Sequence, residues 1–160
     1  AGLKVRVFYE PTLLGSAGTL AANRGFCSEA PFFIIYGDNL SDVDLADLYA
    51  THLQQRPLLT LGTFEAEFPE RCGIAEIDGQ GVVQGFVEKP KKPLSNHAAA
   101  GIYVAEPEIF DYFPEAEAST VLDLGFDVIP KLVGRMRNYS IRQLIDIGTP
   151  ENYRLANRDY

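Results

Sequence analysis

The feature that most constrains this chain is an apolar run that stops abruptly on Gly-Asp-Asn. In residues 32–42, FFIIYGDNLSD, nothing from Phe32 to Tyr36 offers a polar side chain to solvent. Strict alternation marks a half-exposed strand, whereas an unbroken run marks a strand covered on both faces, as in a parallel sheet flanked by helices. Gly37 then permits the turn such a strand needs. Ligands of open α/β sheets lie just beyond the carboxyl ends of strands, so Asp38 is placed to hold a cation beside a phosphate. The same three residues also read as a turn cap, and taken alone they leave both readings open.

The remaining chain extends this α/β pattern. Residues 3–9, LKVRVFY, alternate as a half-exposed strand near a sheet edge, closed by Glu10-Pro11. Residues 14–20, LGSAGTL, read as a small-residue loop running into a short helix, with Ser16 a possible N-cap. Ser41 or Asp42 caps a helix whose Leu45, Leu48, Tyr49, His52 and Leu53 fall on one stripe. His52 reads as a packed or rim histidine, and so does His97. Residues 58–64 form a buried strand. Residues 73–77 and 82–87 flank Asp78-Gly79-Gln80-Gly81, the strongest hairpin signal present.

Glu88-Lys89-Pro90 opens a stiff basic loop, in which Lys89 alone reads as a solvated lysine. A strand over 98–104 and a short helix over 107–112 come next, then a mobile loop over 115–119. Residues 123–133 have helical periodicity that Pro130 must kink or restart. A strand over 137–142 leads to residues 144–149, LIDIGT, where a second apolar run delivers an Asp and then a Gly. Thr149-Pro150-Glu151 starts the last helix with a hydroxyl cap, a proline at its first position and a carboxylate facing the dipole.

Length and charge bound the function. The 160 residues suit a single domain with a real core. A net charge of −8 argues against a nucleic-acid polymer as partner, because such a surface needs clustered Lys and Arg. It does not exclude a nucleotide, since a bound cation inverts the local field. Cys27 and Cys72 lack C-x-x-C spacing and read as reduced thiols of a cytoplasmic protein. The sequence contains no apolar run of transmembrane length. It opens at Ala1, without Met, and is expected to be a processed product or a fragment.

Four stretches in order, LGSAG at 14–18, YGDN at 36–39, FVEKP at 86–90 and IDIGTPENY at 145–153, resemble the sugar-1-phosphate nucleotidyltransferases, and most of all the mannose-1-phosphate guanylyltransferase-like branch. AGIYV at 100–104 lies where that family places such a strand. The resemblance implies a mixed, mostly parallel Rossmann-like sheet, N-terminally truncated, with residues 1–160 as one unit and a hairpin insertion at about 73–104. It implies transfer of a nucleotidyl group from a nucleoside triphosphate to a sugar 1-phosphate, releasing pyrophosphate. Asp38 and Asp146 are then expected to hold Mg²⁺. Lys89 is expected to hold the sugar phosphate, Glu88 to accept from sugar hydroxyls, and Gly73 and Gly101 to let the sugar approach the backbone. Glu10, Gly15, Ser16 and Ala17 are expected to line the nucleobase pocket, with Asp38 on the nucleotide's metal side.

The chain also departs from that family. The glycine-rich G-G-x-G-T-R-L signature that cradles the triphosphate has no counterpart, the Asn often found before AGIY is Ala99, and the aromatic residue before IDIGT is Leu144. The family's first strand would lie between the partners of residues 3–9 and 32–36. Its loss leads us to expect a new strand pairing or a strand borrowed from a second copy, as in a homodimer or strand-swapped dimer. The alternative function is a non-catalytic sugar-phosphate-binding or assembly module of the same fold.

Overall fold

The computed structural model describes residues 5–115 and 120–159. In chain order its elements are α1 (Gly15–Ala22), β1 (Phe32–Ile35), β2 (Asn39–Ser41), α2 (Leu45–Gln55), β3 (Leu59–Glu65), β4 (Gly73–Ile77), β5 (Val83–Glu88), β6 (His97–Ala105), β7 (Met136–Ser140), β8 (Leu144–Asp146) and α3 (Pro150–Asp159). Short 3₁₀ turns lie between them, together with one π-turn over Leu124–Val128.

β6 is the strand on which the main sheet hangs. β3 pairs along one of its edges, while β1 and β4 share the other, β1 at Ile102–Ala105 and β4 at Ala98. β5 continues outward from β4, and β7 runs parallel to β3. The sheet is therefore mixed, as expected. β1, β3, β4 and β7 point one way and β5 and β6 the other. Because β6 inserts between strands of like direction, the only parallel ladder among the described residues is β3–β7.

Alternation along β6 gives the fold two cores. Tyr103 and Ala105 face one cluster with Leu59, Leu61, Phe110 and Met136, while Ala100, Ile102 and Val104 face the other with Leu48 and Ile141. Burying Leu59 or Leu61 completely contributes about 1.5–3 kcal/mol each relative to exposure. Alanines in β6 let both layers come close to the sheet.

Local signals explain most element ends. Asp44, not Ser41 or Asp42, caps α2, accepting from Ala46 N and Asp47 N at 2.9 and 3.0 Å. Asp42 is engaged instead by Arg142 and by the Gln143 amide. Thr149 caps α3 by accepting from Asn152 N at 3.2 Å. Asp123 caps the π-turn, and a 3₁₀ turn with Pro130 in its first residues follows directly.

Two expectations fail near the N-terminus. Residues 5–9 form no strand, and Val5, Val7 and Tyr9 are exposed; Leu3 and Lys4 lie outside the described residues. β1 is antiparallel to its neighbour and is not covered on both faces: Ile34 is buried, but Phe33 and Ile35 are 37% and 48% exposed. Among the described residues no second ladder forms on the other edge of β1, so the pairing expected there is not made by those residues. The expected mobile loop falls mostly on residues 116–119, outside the described set.

His52 is packed, as its place on the α2 stripe implied. It is fully buried, with Nδ1 2.8 Å from Thr60 Oγ1 and Nε2 3.4 Å from Glu106 Oε1, which also takes Arg56 at 3.0 Å. Burial pulls its pKa below the ordinary imidazole value, the nearby Glu106 carboxylate opposes this, and Arg56 adds to it. A depressed folded-state pKa means that the unfolded chain takes up the proton first. Stability is therefore expected to be full above pH 6.5 and to fall as acid approaches the folded-state value, with a lower urea midpoint as the readout. His52→Leu should remove this acid slope and cost about 1–3 kcal/mol at neutral pH through the stranded Thr60 hydroxyl.

Candidate functional site

Two strands far apart in sequence meet to make the acidic part of the site. β2 and β8 form a separate antiparallel ribbon, with Asn39 opposite Asp146 and Ser41 opposite Leu144. Ile147 N donates to Asp38 O at 2.8 Å, which extends the pairing by one step. Asn39 Nδ2 donates to Ala100 O at 2.8 Å and ties this ribbon to β6.

Gly148 then allows the two carboxylates to converge. A Cβ on it would lie 2.9 Å from Asp146 Oδ1 and 3.5 Å from Asp38 Oδ2, so both oxygens border the space above one glycine. Asp146 Oδ1 accepts from Gly148 N at 2.7 Å. Neither carboxylate forms an ion pair among the described residues. Two hard oxygen donors with no cationic partner fit a divalent cation whose remaining ligands are phosphate and water. The described residues hold no cluster of three or more His, Cys, Asp or Glu suited to a metal.

Beside this pair lies a hollow of about 270 Å³ whose lining includes Gly73, Glu88, Lys89, Gly101 and Asp146. The β4–β5 hairpin puts Gly73 opposite Glu88. Lys89 follows with φ +48°, a left-handed conformation for a non-glycine residue placed directly before Pro90, and its amide donates to Cys72 O at 2.9 Å. Such a conformation costs about 1–2 kcal/mol, and strain of this kind clusters at functional sites. It leaves the Lys89 side chain 59% exposed, with Nζ 3.9 Å from Glu88 Oε1.

Glu88 is only 16% exposed, and its Oε2 occupies the positions that a Cβ would need on both Gly73 and Gly125. Burial raises its pKa, Lys89 works against that rise, and Asp123 adds to it. Burial also pushes up the Cys72 thiol, with Glu88 adding to the effect.

The structure divides the expected site. Gly73, Glu88, Lys89, Gly101 and Asp146 line one hollow, and Asp38 converges on Asp146. Glu10, Gly15, Ser16 and Ala17 do not line it. Gly15, at φ +76°, packs against Leu122 O, and Ala17 is fully buried with its amide on the same carbonyl. Ser16 does not cap α1; its Oγ donates to Asp123 Oδ2 at 3.0 Å and accepts from Leu124 N at 2.8 Å. Glu10 Oε2 takes the Leu14 amide at 3.4 Å, while Oε1 is buried without a partner. His97 lines a neighbouring hollow with Ser140 and Arg142.

Sequence reasoning missed Asp123, Tyr36, Arg71 and Cys72, which also line the hollow. The Arg71-Cys72 pair immediately precedes Gly73, but nothing in its spacing marks it. Asp123 reads in sequence as a helix start, which it is; its second role comes from Ser16, more than a hundred residues earlier. A more open hollow of about 620 Å³, lined by Arg56, Glu106, Glu108 and Arg135, contains none of these groups.

The family model described as Nucleotidyl transferase matches residues 1–160. The chain belongs to that family. Among curated relatives, this nucleotidyl transferase chain is 34% identical over 158 residues to the UTP–glucose-1-phosphate uridylyltransferase of Synechocystis sp., a match covering 91% of the chain and 39% of that protein. It is 27% identical over 157 residues to the mannose-1-phosphate guanylyltransferase catalytic subunit beta of Drosophila melanogaster, covering 95% of the chain and 42% of the relative. The chain thus spans about two fifths of the length of these relatives. Among solved structures, HddC from Yersinia pseudotuberculosis superposes with a TM-score of 0.73 at 24% identity, covering 93% of this chain and 64% of that one, which supports the shared fold. No helix among the described residues is long and apolar enough to cross a membrane.

The Glu88 slot predicts the outcome of filling it. Gly125→Ala places a methyl group where Glu88 Oε2 now sits, and overpacking of this kind costs about 1–3 kcal/mol. A thermal melt should show that loss, while exposed Gly79→Ala, with open space at its Cβ position, should leave the melt unchanged.

Proposed function

We propose that the protein is a sugar-1-phosphate nucleotidyltransferase, and that residues 1–160 act as one nucleotidyltransferase-like unit contributing the sugar-phosphate side and the acidic pair. The observation that carries this reading is the convergence of Asp38 and Asp146 over Gly148, next to a hollow that holds the Glu88–Lys89 pair. In the reaction, an oxygen of the sugar 1-phosphate attacks the α-phosphorus of a nucleoside triphosphate. A new P–O bond forms as the bond to pyrophosphate breaks. Such chemistry depends on positioning and charge neutralisation rather than on proton transfer by the protein.

Each residue then has a stated task. Lys89 holds the sugar phosphate as an exposed point charge on a strained, fixed backbone. Glu88, held between two glycines, accepts hydrogen bonds from sugar hydroxyls. Gly73 makes room for the Glu88 carboxylate, and Gly101 for the Asn39 amide and the Tyr36 ring, so these glycines seat the side chains that line the pocket. On the nucleotide side, Glu10 is fastened through Oε2 to the Leu14 amide just before α1, Gly15 and Ala17 set the packing of that helix's first turn against Leu122, and Ser16 links it to the hollow. Asp38 and Asp146 would hold Mg²⁺, which when bound supplies positive charge to the phosphates.

The relatives' names join uridylyl and guanylyl transfer to glucose and mannose 1-phosphates, so the assay pairs UTP and GTP with both sugars in the presence of Mg²⁺. Pyrophosphate release is the expected result where a glycine-rich triphosphate-cradling segment is also supplied, because residues 1–160 carry no counterpart of it. Asp38→Asn and Asp146→Asn should each lower kcat about 10²–10³-fold, the scale of removing a preorganised electrostatic group. Lys89→Ala should act mainly on KM for the sugar phosphate. Sugar-phosphate binding without pyrophosphate release would instead make the chain a binding module.

A further inference from the structure

Asp123 stands at the junction of the two halves of the site. Its Oδ2 accepts from Ser16 Oγ at 3.0 Å, and its Oδ1 accepts from the amides of Gly125 and Phe126 at 2.8 and 3.1 Å. A carboxylate offers four lone-pair positions, so three of them are committed to fixing the group in place. Ser16 in turn accepts from Leu124 N at 2.8 Å, which closes a ring of bonds between the first turn of α1 and the π-turn.

Fixed in this way, Asp123 lies beside Glu88. The Cβ position of Gly125 is bordered by Glu88 Oε2 on one side and by Asp123 Oδ1, 3.2 Å away, on the other. Two carboxylates therefore flank one glycine on the wall of the sugar hollow, with Lys89 as the near cation. The other titratable groups on this wall are Asp146, Arg71, the Cys72 thiol and the Tyr36 and Tyr103 hydroxyls, the last three with raised pKa values. Of the Asp123 and Asp146 carboxylates, Asp123 is the one that shares the Gly125 Cβ position with Glu88 and the one whose charge adds to the rise of the Glu88 pKa.

We propose that Asp123 is a positioning residue for the sugar pocket: clamped by Ser16 and by the amides of Gly125 and Phe126, it fixes the wall behind Glu88 and sets the charge state in which Glu88 meets the sugar. The inference rests on the nucleotidyltransferase reading for the identity of the ligand, but not for the coupling between the carboxylates. Loss of Asp123's charge makes Glu88 easier to ionise. Glu88 then reaches its charged, hydroxyl-accepting form at lower pH.

Asp123→Asn tests this, because asparagine caps a helical turn as well as aspartate does and keeps an oxygen for the Gly125 and Phe126 amides. Two measurements are made on wild type and variant. The first is the Glu88 titration followed by the side-chain carboxyl carbon resonance; the variant should titrate at lower pH, with backbone amide shifts away from the turn unchanged. The second is the pH profile of KM for mannose 1-phosphate and glucose 1-phosphate; its acid limb should move down by the same interval. Asp123→Ala, which also removes the cap, should raise KM at every pH, and Ser16→Ala should reproduce part of that rise.

An unmoved Glu88 titration in Asp123→Asn overturns the proposal whatever the activity. A moved titration with an unmoved KM profile overturns the sugar-pocket role. A moved titration in a protein that binds neither sugar phosphate supports the carboxylate coupling and overturns the nucleotidyltransferase reading instead.

Discussion

The antiparallel pairing of β2 with β8 is the interaction on which the site depends. Three residue pairs, Asn39–Asp146, Leu40–Ile145 and Ser41–Leu144, bring together segments more than a hundred residues apart in sequence. Side chains opposite each other in such a ladder lie close together, and a slip of one residue would turn each of them to the other face. The register therefore decides whether Asp38 and Asp146 share a space. Ile147 N on Asp38 O and Asn39 Nδ2 on Ala100 O lock it, one along the ribbon and one onto β6.

Small residues then shape what the carboxylates face. Gly148 leaves room between Asp38 and Asp146, while Gly73 and Gly125 leave room for Glu88. Any β-carbon at these positions would occupy the space of a carboxylate oxygen. Next to Glu88, the backbone bends the other way at Lys89, where a non-glycine residue takes a left-handed conformation held by the Cys72 carbonyl. The pocket is thus assembled from omitted side chains and one strained turn, so that acidic groups stand close to one another without a basic partner for each.

Much of this was legible before any coordinates. The two apolar runs ending in Asp38 and Asp146, the Asp78–Gly81 hairpin and the Thr149-Pro150 helix start are local signals, and local physics preserves them. The β6 strand was also visible, because AAAGIYV keeps both faces apolar. Residues 5–9 and β1 misled for a shared reason: periodicity reports which face a side chain prefers, not whether a neighbouring strand is there to cover it. Among the described residues β1 has a ladder on one edge only, and Phe33 and Ile35 stay partly exposed despite the unbroken apolar run. Asp123 and Ser16 were illegible as a pair because their bond spans 107 positions and each already had a sufficient local reading. Ser41 and Asp42 were read as caps because both have the right chemistry; Asp44 prevails because Asp42 is taken by Arg142 and Gln143.

The most direct test of a shared cation between Asp38 and Asp146, facing the Lys89 hollow, is Mn²⁺ paramagnetic broadening on ¹⁵N-labelled protein. Substoichiometric Mn²⁺ is predicted to broaden the amides of Asp38, Ile147, Gly148 and Lys89 first, and Asp146→Asn is predicted to abolish that selectivity. Broadening that begins elsewhere on this acidic surface, or that survives the substitution unchanged, would contradict the arrangement and with it the enzymatic reading.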